Sequence, residues 1–198
     1  MISAAIFDLD GTLTRIPSPW RYVHERLGLW EGTACGYLEE WRSGRISYEE
    51  FCRRDTHLWR GRALHEIETL LDEIDFNRHV PAVARRLVEA KVPSIIISSG
   101  FLYVAAKIQA KCDWRPLLIY ANELIEGPDV RINVSGDFAS PISKKVLAAE
   151  ALGLVGATMD QTLIVSDTHR DLEQLCDCGF KLLVEDEDDL LQVNQFLD

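Results

Sequence analysis

No stretch of this chain is long and apolar enough to cross a bilayer, no CxxC pair occurs among its cysteines, and it has no repeat or low-complexity tract. These absences argue against a membrane-spanning helix and against a disulfide framework or zinc site built on the cysteines. Positive charge is also short: 21 Lys and Arg face 32 Asp and Glu, a net charge of -11. Such a surface repels nucleic acid and anionic lipid, so any phosphate group must be attracted locally. The five cysteines (Cys35, Cys52, Cys112, Cys176, Cys178) are odd in number and read as free thiols. The sequence opens directly on a strand-like run without leader features, which gives the expectation of a soluble cytoplasmic protein, monomer or homodimer. With 198 residues it is long enough to bury a real core.

What is present is alternation. Short apolar runs recur at Ala4–Phe7, Ser94–Ile97, Leu117–Tyr120, Leu163–Val165 and Lys181–Val184, separated by helical patterns at Val80–Ala90, Leu102–Lys111, Lys144–Leu152 and Asp189–Phe196. This spacing predicts an α/β domain around a parallel sheet, with ligands beyond the carboxyl ends of its strands. One interval, about Pro17 to Asn77, is only helical: Trp20, Val23, Leu27; Tyr37, Leu38, Trp41; Tyr48, Phe51, Cys52; and Leu64, Ile67, Leu70, Leu71. It reads as a helical insertion after the first strand, dividing the chain into a core of 1–15 and 79–198 and a cap of 16–78. Four of the five tryptophans fall in it, as the core of a helical subdomain or with one or two lining a pocket over the sheet. The acidic run Glu185–Asp189 reads as a solvated loop and helix start.

The first apolar run ends in IFDLDGTLT, Ile6–Thr14. Asp8 and Asp10 are two apart, so on extended backbone both lean to one face. Carboxylates that close repel, and one takes up a proton unless a cation stands between them. An Asp-Gly hairpin turn is the plainer reading, but Pro17 and Pro19 cut the second arm short and a hairpin has no use for Asp8.

Three other strand ends are polar. Ser98-Ser99-Gly100 offers hydroxyls and backbone N–H groups at the mouth of a helix, suited to a phosphate oxygen and equally to a helix cap. Lys144 and Lys145 open a helix, an unfavourable place for a cation. Asp167 and Asp171 follow the Leu163–Val165 run. Asp171 has a use as a helix cap, which leaves Asp167 without one. Facing one crevice, these groups make a set of hard oxygen donors suited to Mg²⁺, which takes one or two carboxylates, keeps waters and accepts a phosphate oxygen.

DLDGTLT at Asp8–Thr14, ISSGF at Ile97–Phe101, the Lys144 region and SDTHRD at Ser166–Asp171 resemble, in order, the four motifs of the haloacid dehalogenase (HAD) superfamily. The chain is most similar to its phosphoserine phosphatase-like branch, a likeness running from about Ile2 to Leu183. It includes the Ala121-Asn122 step and the Ser135-Gly136-Asp137 segment. The resemblance implies a Rossmann-like parallel sheet with a helical cap inserted after the first strand. It also implies an Mg²⁺-dependent phosphatase acting on a small phosphorylated metabolite. Asp8 would be the nucleophile that becomes an aspartyl-phosphate, and Asp10 the acid and then the base. Asp8, the backbone carbonyl of Asp10, and Asp167 would hold the metal; Ser98, Ser99 and Lys144 the phosphate; and Asp171 would orient the lysine or a metal-bound water. Hinges near Arg15 and Arg78 would let the cap close.

Two departures stand out. Ser166 occupies the place of a usual glycine, and Pro17 and Asp55, beside Arg53 and Arg54, stand where that branch grips its amino acid with an acid and an arginine. A non-catalytic phospho-ligand-binding protein on the same fold is the alternative reading. A receiver-type phospho-acceptor is disfavoured by the helical insertion, and a dehalogenase by Asp10, because displacing halide needs no acid for the leaving group.

Overall fold

A computed structural model describes residues 2–134 and 143–197 of the chain; the Ser135-Gly136-Asp137 segment lies outside the described residues. The first apolar run, β1 (Ala4–Phe7), is wholly buried and central. It pairs in parallel with β2 (Ser94–Phe101) on one side and β5 (Thr162–Ser166) on the other. The sheet adds β3 (Leu118–Ile125) and β4 (Arg131–Asn133) beyond β2, and β6 (Phe180–Leu183) beyond β5, in the order β4-β3-β2-β1-β5-β6. All neighbours are parallel except β4, which runs antiparallel to β3. The chain moves outward from β1 to β3, then crosses to β5 and β6. A crevice therefore opens where the order reverses, between β1 and β5 at their carboxyl ends.

Strands buried on both faces read as unbroken apolar runs, which is why β1, β2 and β5 were legible in sequence. Ile95, Ile96, Ile97 and Leu163, Ile164, Val165 flank Ile6 and Phe7 in the core. Trp114 packs edge-on against Phe7 and donates through its indole N–H to Ser94 Oγ at 3.0 Å.

Between β1 and α5 (Val80–Glu89) lie four helices: α1 (Pro19–Arg26), α2 (Cys35–Arg42), α3 (Tyr48–His57) and α4 (Leu64–Asp72). Ser18 and Ser47 cap α1 and α3 by accepting from Arg21 N and Glu50 N. An irregular turn at Trp30–Ala34, with Gly32 at φ 78°, joins α1 to α2. This all-helical interval packs its α1 on β2 and its α3 on β4. Where the chain leaves the sheet and where it returns, Thr14 and Phe76 form an antiparallel bridge, and Asn77 N donates to Leu13 O at 2.9 Å. The core side is completed by α6 (Leu102–Cys112), α7 (Ser143–Val155) and α8 (His169–Gln174).

One expectation needs correction. The pattern at Asp189–Phe196 forms 3₁₀ turns, over Glu187–Phe196, rather than an α-helix. Leu190, Val193 and Phe196 recur every third residue, the period that turn type demands. β4 was not foreseen, because Arg-Ile-Asn carries one apolar residue and is too short to signal a strand. The acidic run Glu185–Asp189 does more than solvate a loop. Glu187 bridges Arg15 at 3.2 Å and Arg78 at 3.6 Å, and Asp188 bridges His79 at 2.7 Å, so it clasps the two connections to the helical interval.

Lys107 of α6 reaches across to the end of α4, donating to the carbonyl oxygens of Leu71 and Ile74 at 3.1 Å each and to that of Asp72. A cation there satisfies terminal carbonyls and suits the helix dipole. Replacing it by methionine, which keeps the apolar stem, is expected to cost about 1–2 kcal/mol. Urea unfolding measures this, and an unchanged midpoint would contradict the role.

Candidate active site

β1 stops at Phe7, and the chain then turns on Gly11, whose φ of 79° suits glycine. A Cβ there would lie 2.2 Å from Asp167 Oδ2. Thr12, fully buried, accepts from Asp167 N at 2.9 Å and donates to Asp167 Oδ1 at 3.4 Å. The loop after β1 and the end of β5 are thus locked together, holding Asp8, Asp10 and Asp167 at one place. This is no hairpin: the chain runs on from Leu13 into the helical interval.

At the end of β2, Ser98 Oγ donates to Asp10 Oδ2 at 3.0 Å and accepts from Gly100 N at 2.9 Å. Gly100 has a reason of its own, since a Cβ on it would meet Asp10 Oδ2 at 2.1 Å. Lys144, from the first turn of α7, donates to Asp8 Oδ1 at 2.9 Å and to Asp171 Oδ2. Ser166 Oγ donates to Asp171 Oδ2 at 3.1 Å and accepts from Thr168 N at 3.2 Å. The serine in the usual place of glycine is therefore accommodated and used. Asp171 does not cap α8. Thr168 does, accepting from Asp171 N, and Asp171 turns its carboxylate to the lysine.

Burial and mutual repulsion dominate the electrostatics. Asp8 is pushed up to about 7 by burial and by the charges of Asp171 and Asp167, against the pull of Lys144. Asp10 is pushed up to about 8, by burial and then by Asp8, with Ser98 pulling it down. Asp167 is raised chiefly by burial. Burial alone would lower Lys144, but the charges of Asp8 and Asp171 outweigh it and hold the ammonium firmly protonated. Among the described residues, one buried cation thus stands against four carboxyl groups. Asp10 Oδ1 is buried with no hydrogen-bond partner.

The donor set fits a hard divalent cation: Asp8, Asp167 and the main-chain carbonyl of Asp10 would hold it. No three His, Cys, Asp or Glu side chains converge as a ready-made cage among the described residues. Above the cluster lies a cavity of about 460 Å³ bounded by Asp8, Asp10, Ser98, Ser99, Lys144 and Asp167 below, and by residues of α1, α2 and α3 above.

Asp8, Asp10, Ser98, Ser99, Lys144, Asp167 and Asp171 all lie in this one region. Lys145 lies apart, exposed and paired with Asp177, and His169 is exposed. Ser99 contributes in an unforeseen way. Its carbonyl oxygen accepts from Trp20 Nε1 at 3.0 Å, Tyr48 Oη at 3.1 Å and Asn122 Nδ2 at 2.8 Å. Two of these donors come from the helical interval, so this carbonyl ties α1 and α3 to the sheet. The sequence held no signal for it, because a main-chain acceptor carries no residue-type mark. Trp20 and Trp41 border the cavity and Trp59 is fully buried, so both readings of the tryptophans are realised.

Asp8 and Asp10 hold their protons more tightly folded than unfolded. Their contribution to stability is therefore present below about pH 4, their ordinary range, and is lost as pH rises through about 7 and 8. The metal-free protein should melt at progressively lower temperature from pH 5 to pH 9. Asp10→Asn should raise the melting temperature at pH 9 by roughly 3 °C or more and flatten the decline. Calorimetry checks this, and a variant that melts lower at pH 9 would contradict it.

No curated protein matches the chain at the level of sequence. Solved structures match in fold. A phosphoserine phosphatase described as a phospho-aspartyl intermediate analogue aligns with a TM-score of 0.74 at 18% identity, over 97% of this chain and 90% of that one. A substrate-bound phosphoserine phosphatase gives 0.72 at 19%, over 92% and 86%. The phosphoserine phosphatase of T. onnurineus, in complex with NDSB-201, gives 0.66 at 19%, over 100% and 96%. The family model of the haloacid dehalogenase-like hydrolases matches residues 5–175, the span that carries the whole crevice. The chain is a member of that family.

Proposed function

We propose that the protein hydrolyses a small phosphomonoester with Mg²⁺, through an aspartyl-phosphate on Asp8. The observation that carries this reading is the hydrogen-bonded pairing of a buried carboxylate, Asp8, with a buried cation, Lys144, beside a second carboxyl, Asp10, held by Ser98. Lys144 and the polar groups of the Ser98-Ser99-Gly100 segment would hold the phosphate oxygens, Ser98 Oγ turning to them from Asp10. A carboxylate oxygen of Asp8 attacks phosphorus and the ester P–O bond breaks. Asp10, protonated in the buried site, gives its proton to the departing alkoxide. The alcohol leaves, and Asp10 then takes a proton from the water that attacks phosphorus, so that the Asp8–phosphorus bond breaks and inorganic phosphate is released. When bound, Mg²⁺ would offset the charge of the phosphate and of the surrounding carboxylates. Asp171 and Ser166 keep Lys144 aimed at Asp8.

The segment 16–78 works as a cap over a core of 1–15 and 79–198. Its hinge is the paired Thr14 and Phe76 region, flanked by Arg15 and Arg78. The closed cap excludes bulk water while the acyl phosphate exists. The phosphoserine phosphatases similar in fold support a phosphorylated small molecule as substrate.

The test is hydrolysis of a panel of phosphomonoesters, including p-nitrophenyl phosphate and O-phosphoserine, with Mg²⁺ and with chelator. Turnover should require the metal and fall by about 10³-fold or more in Asp8→Asn. It should fall by at least about 10²-fold in Asp10→Asn, and comparably in Gly100→Ala, which displaces Asp10. Turnover surviving in Asp8→Asn overturns the mechanism. Tight phosphate-mimic binding without turnover of any ester would favour the phospho-ligand-binding alternative.

A further inference from the structure

The cavity has two unlike poles. Its floor is the phosphate corner just described. Its upper wall is aromatic: Trp20, Trp41, Tyr48 and Phe51 border it, Trp41 stacking on Phe51 at 5.1 Å and Trp20 lying 5.8 Å from Phe51. In the same wall stands Asp55, 1% exposed. Tyr48, Phe51 and Asp55 are spaced three and four apart on α3 and so share one helix face. Tyr48 touches the sheet at Ser99, and Asp55 is two turns, about 10 Å, further along the axis.

Among the described residues no lysine or arginine pairs with Asp55. The neighbouring Arg53 and Arg54 turn away to Glu50 and Glu40. His24 Nε2 approaches Asp55 Oδ2 at 3.2 Å, without the alignment of a full hydrogen bond, and Asp55 Oδ1 has no partner. Trp59 donates its indole N–H to His24 Nδ1 at 3.3 Å. An indole only donates, so Nδ1 accepts from Trp59 and Nε2 is the ring nitrogen that faces Asp55. Burial raises the pKa of Asp55 and the His24 contact pulls it back. A carboxylate that has this imidazole contact but no lysine or arginine partner among the described residues, in a wall of aromatic faces, makes the upper pole attractive to a cation, because both its field and the ring quadrupoles act through a low dielectric.

We infer that this site takes phosphate monoesters of amino alcohols, with the phosphate on Lys144 and Ser98 and the ammonium or quaternary ammonium group against Trp41, Phe51 and Asp55. The inference rests on the phosphomonoesterase reading above and gives it a substrate class. Asp55 is a specificity-determining residue in it. Among the described residues the wall holds no buried arginine for a carboxylate on the same molecule; Arg21, Arg42 and Arg170, which border the cavity, are exposed.

The experiment compares choline phosphate and ethanolamine phosphate with 3,3-dimethylbutyl phosphate, the uncharged isostere of the first, with O-phosphoserine and p-nitrophenyl phosphate alongside. The cationic esters should exceed the isostere in kcat/KM by about tenfold or more, mainly through KM. Asp55→Asn should bring that ratio close to one, with calorimetry to verify folding. Trp41→Leu should also reduce it, and the wild-type ratio decides the matter if neither variant folds. Equal kcat/KM for choline phosphate and its isostere, with turnover of both, overturns the inference and leaves the phosphatase reading standing. A preference for O-phosphoserine with ethanolamine phosphate as poor as the isostere also overturns it, in favour of carboxylate recognition at the rim. Should no ester turn over, the phosphatase reading fails. Tryptophan fluorescence titrations with choline phosphate and the isostere then decide the inference on its own, tighter binding of the cation upholding it and equal binding overturning it.

Discussion

Four carboxylates and one lysine share the crevice at the carboxyl end of β1, and holding so much like charge out of bulk water requires a stiff surround. The surround is built from main-chain and hydroxyl groups at the ends of three parallel strands. Thr12 clamps the β1 loop to the end of β5, Ser98 holds Asp10 from β2, and Ser166 holds Asp171. Gly11 and Gly100 are demanded by the same crowding, since carboxylate oxygens fill the space their side chains would need. The position of β1 between β2 and β5 makes this possible, because only a central strand has two neighbours whose ends can close on its own.

The helical interval depends on that crevice in turn. Trp20 and Tyr48 both donate to the Ser99 carbonyl, one residue from the serine that holds Asp10. The same two side chains therefore fix the helices to the sheet and form part of the cavity wall. Acidic residues near the C-terminus clasp the exit and return of that interval through Arg15, Arg78 and His79. Position over the crevice is thus set by a few polar contacts around an aromatic core that includes Trp20, Phe51 and Trp59.

How much of this was legible follows from how each feature is encoded. The parallel strands were, because burial on both faces leaves apolar runs that nothing else explains. The acids that follow them were legible too, because Asp8, Asp10 and Asp167 are costly where they stand; Lys144, on the first turn of α7, was picked out by the family resemblance. The antiparallel β4 was not, since its pairing comes from the β3 edge and not from its own three residues. Nor was the cap of α8, where Thr168 and Asp171 both fit and only the lysine, twenty-seven residues away in sequence, decides between them. The pairing of His24 with Asp55 joins α1 to α3, and no spacing rule within one helix could reveal it.

The account stands on Asp8 as the atom donor to phosphorus, and chemical trapping tests that most directly. Protein mixed with p-nitrophenyl phosphate and Mg²⁺, quenched in acid and reduced with borohydride, should yield homoserine in place of Asp8 in the peptide spanning the first motif, by mass spectrometry. Turnover with that peptide unaltered, or the reduced residue found at Asp10 or Asp167 instead, would contradict it.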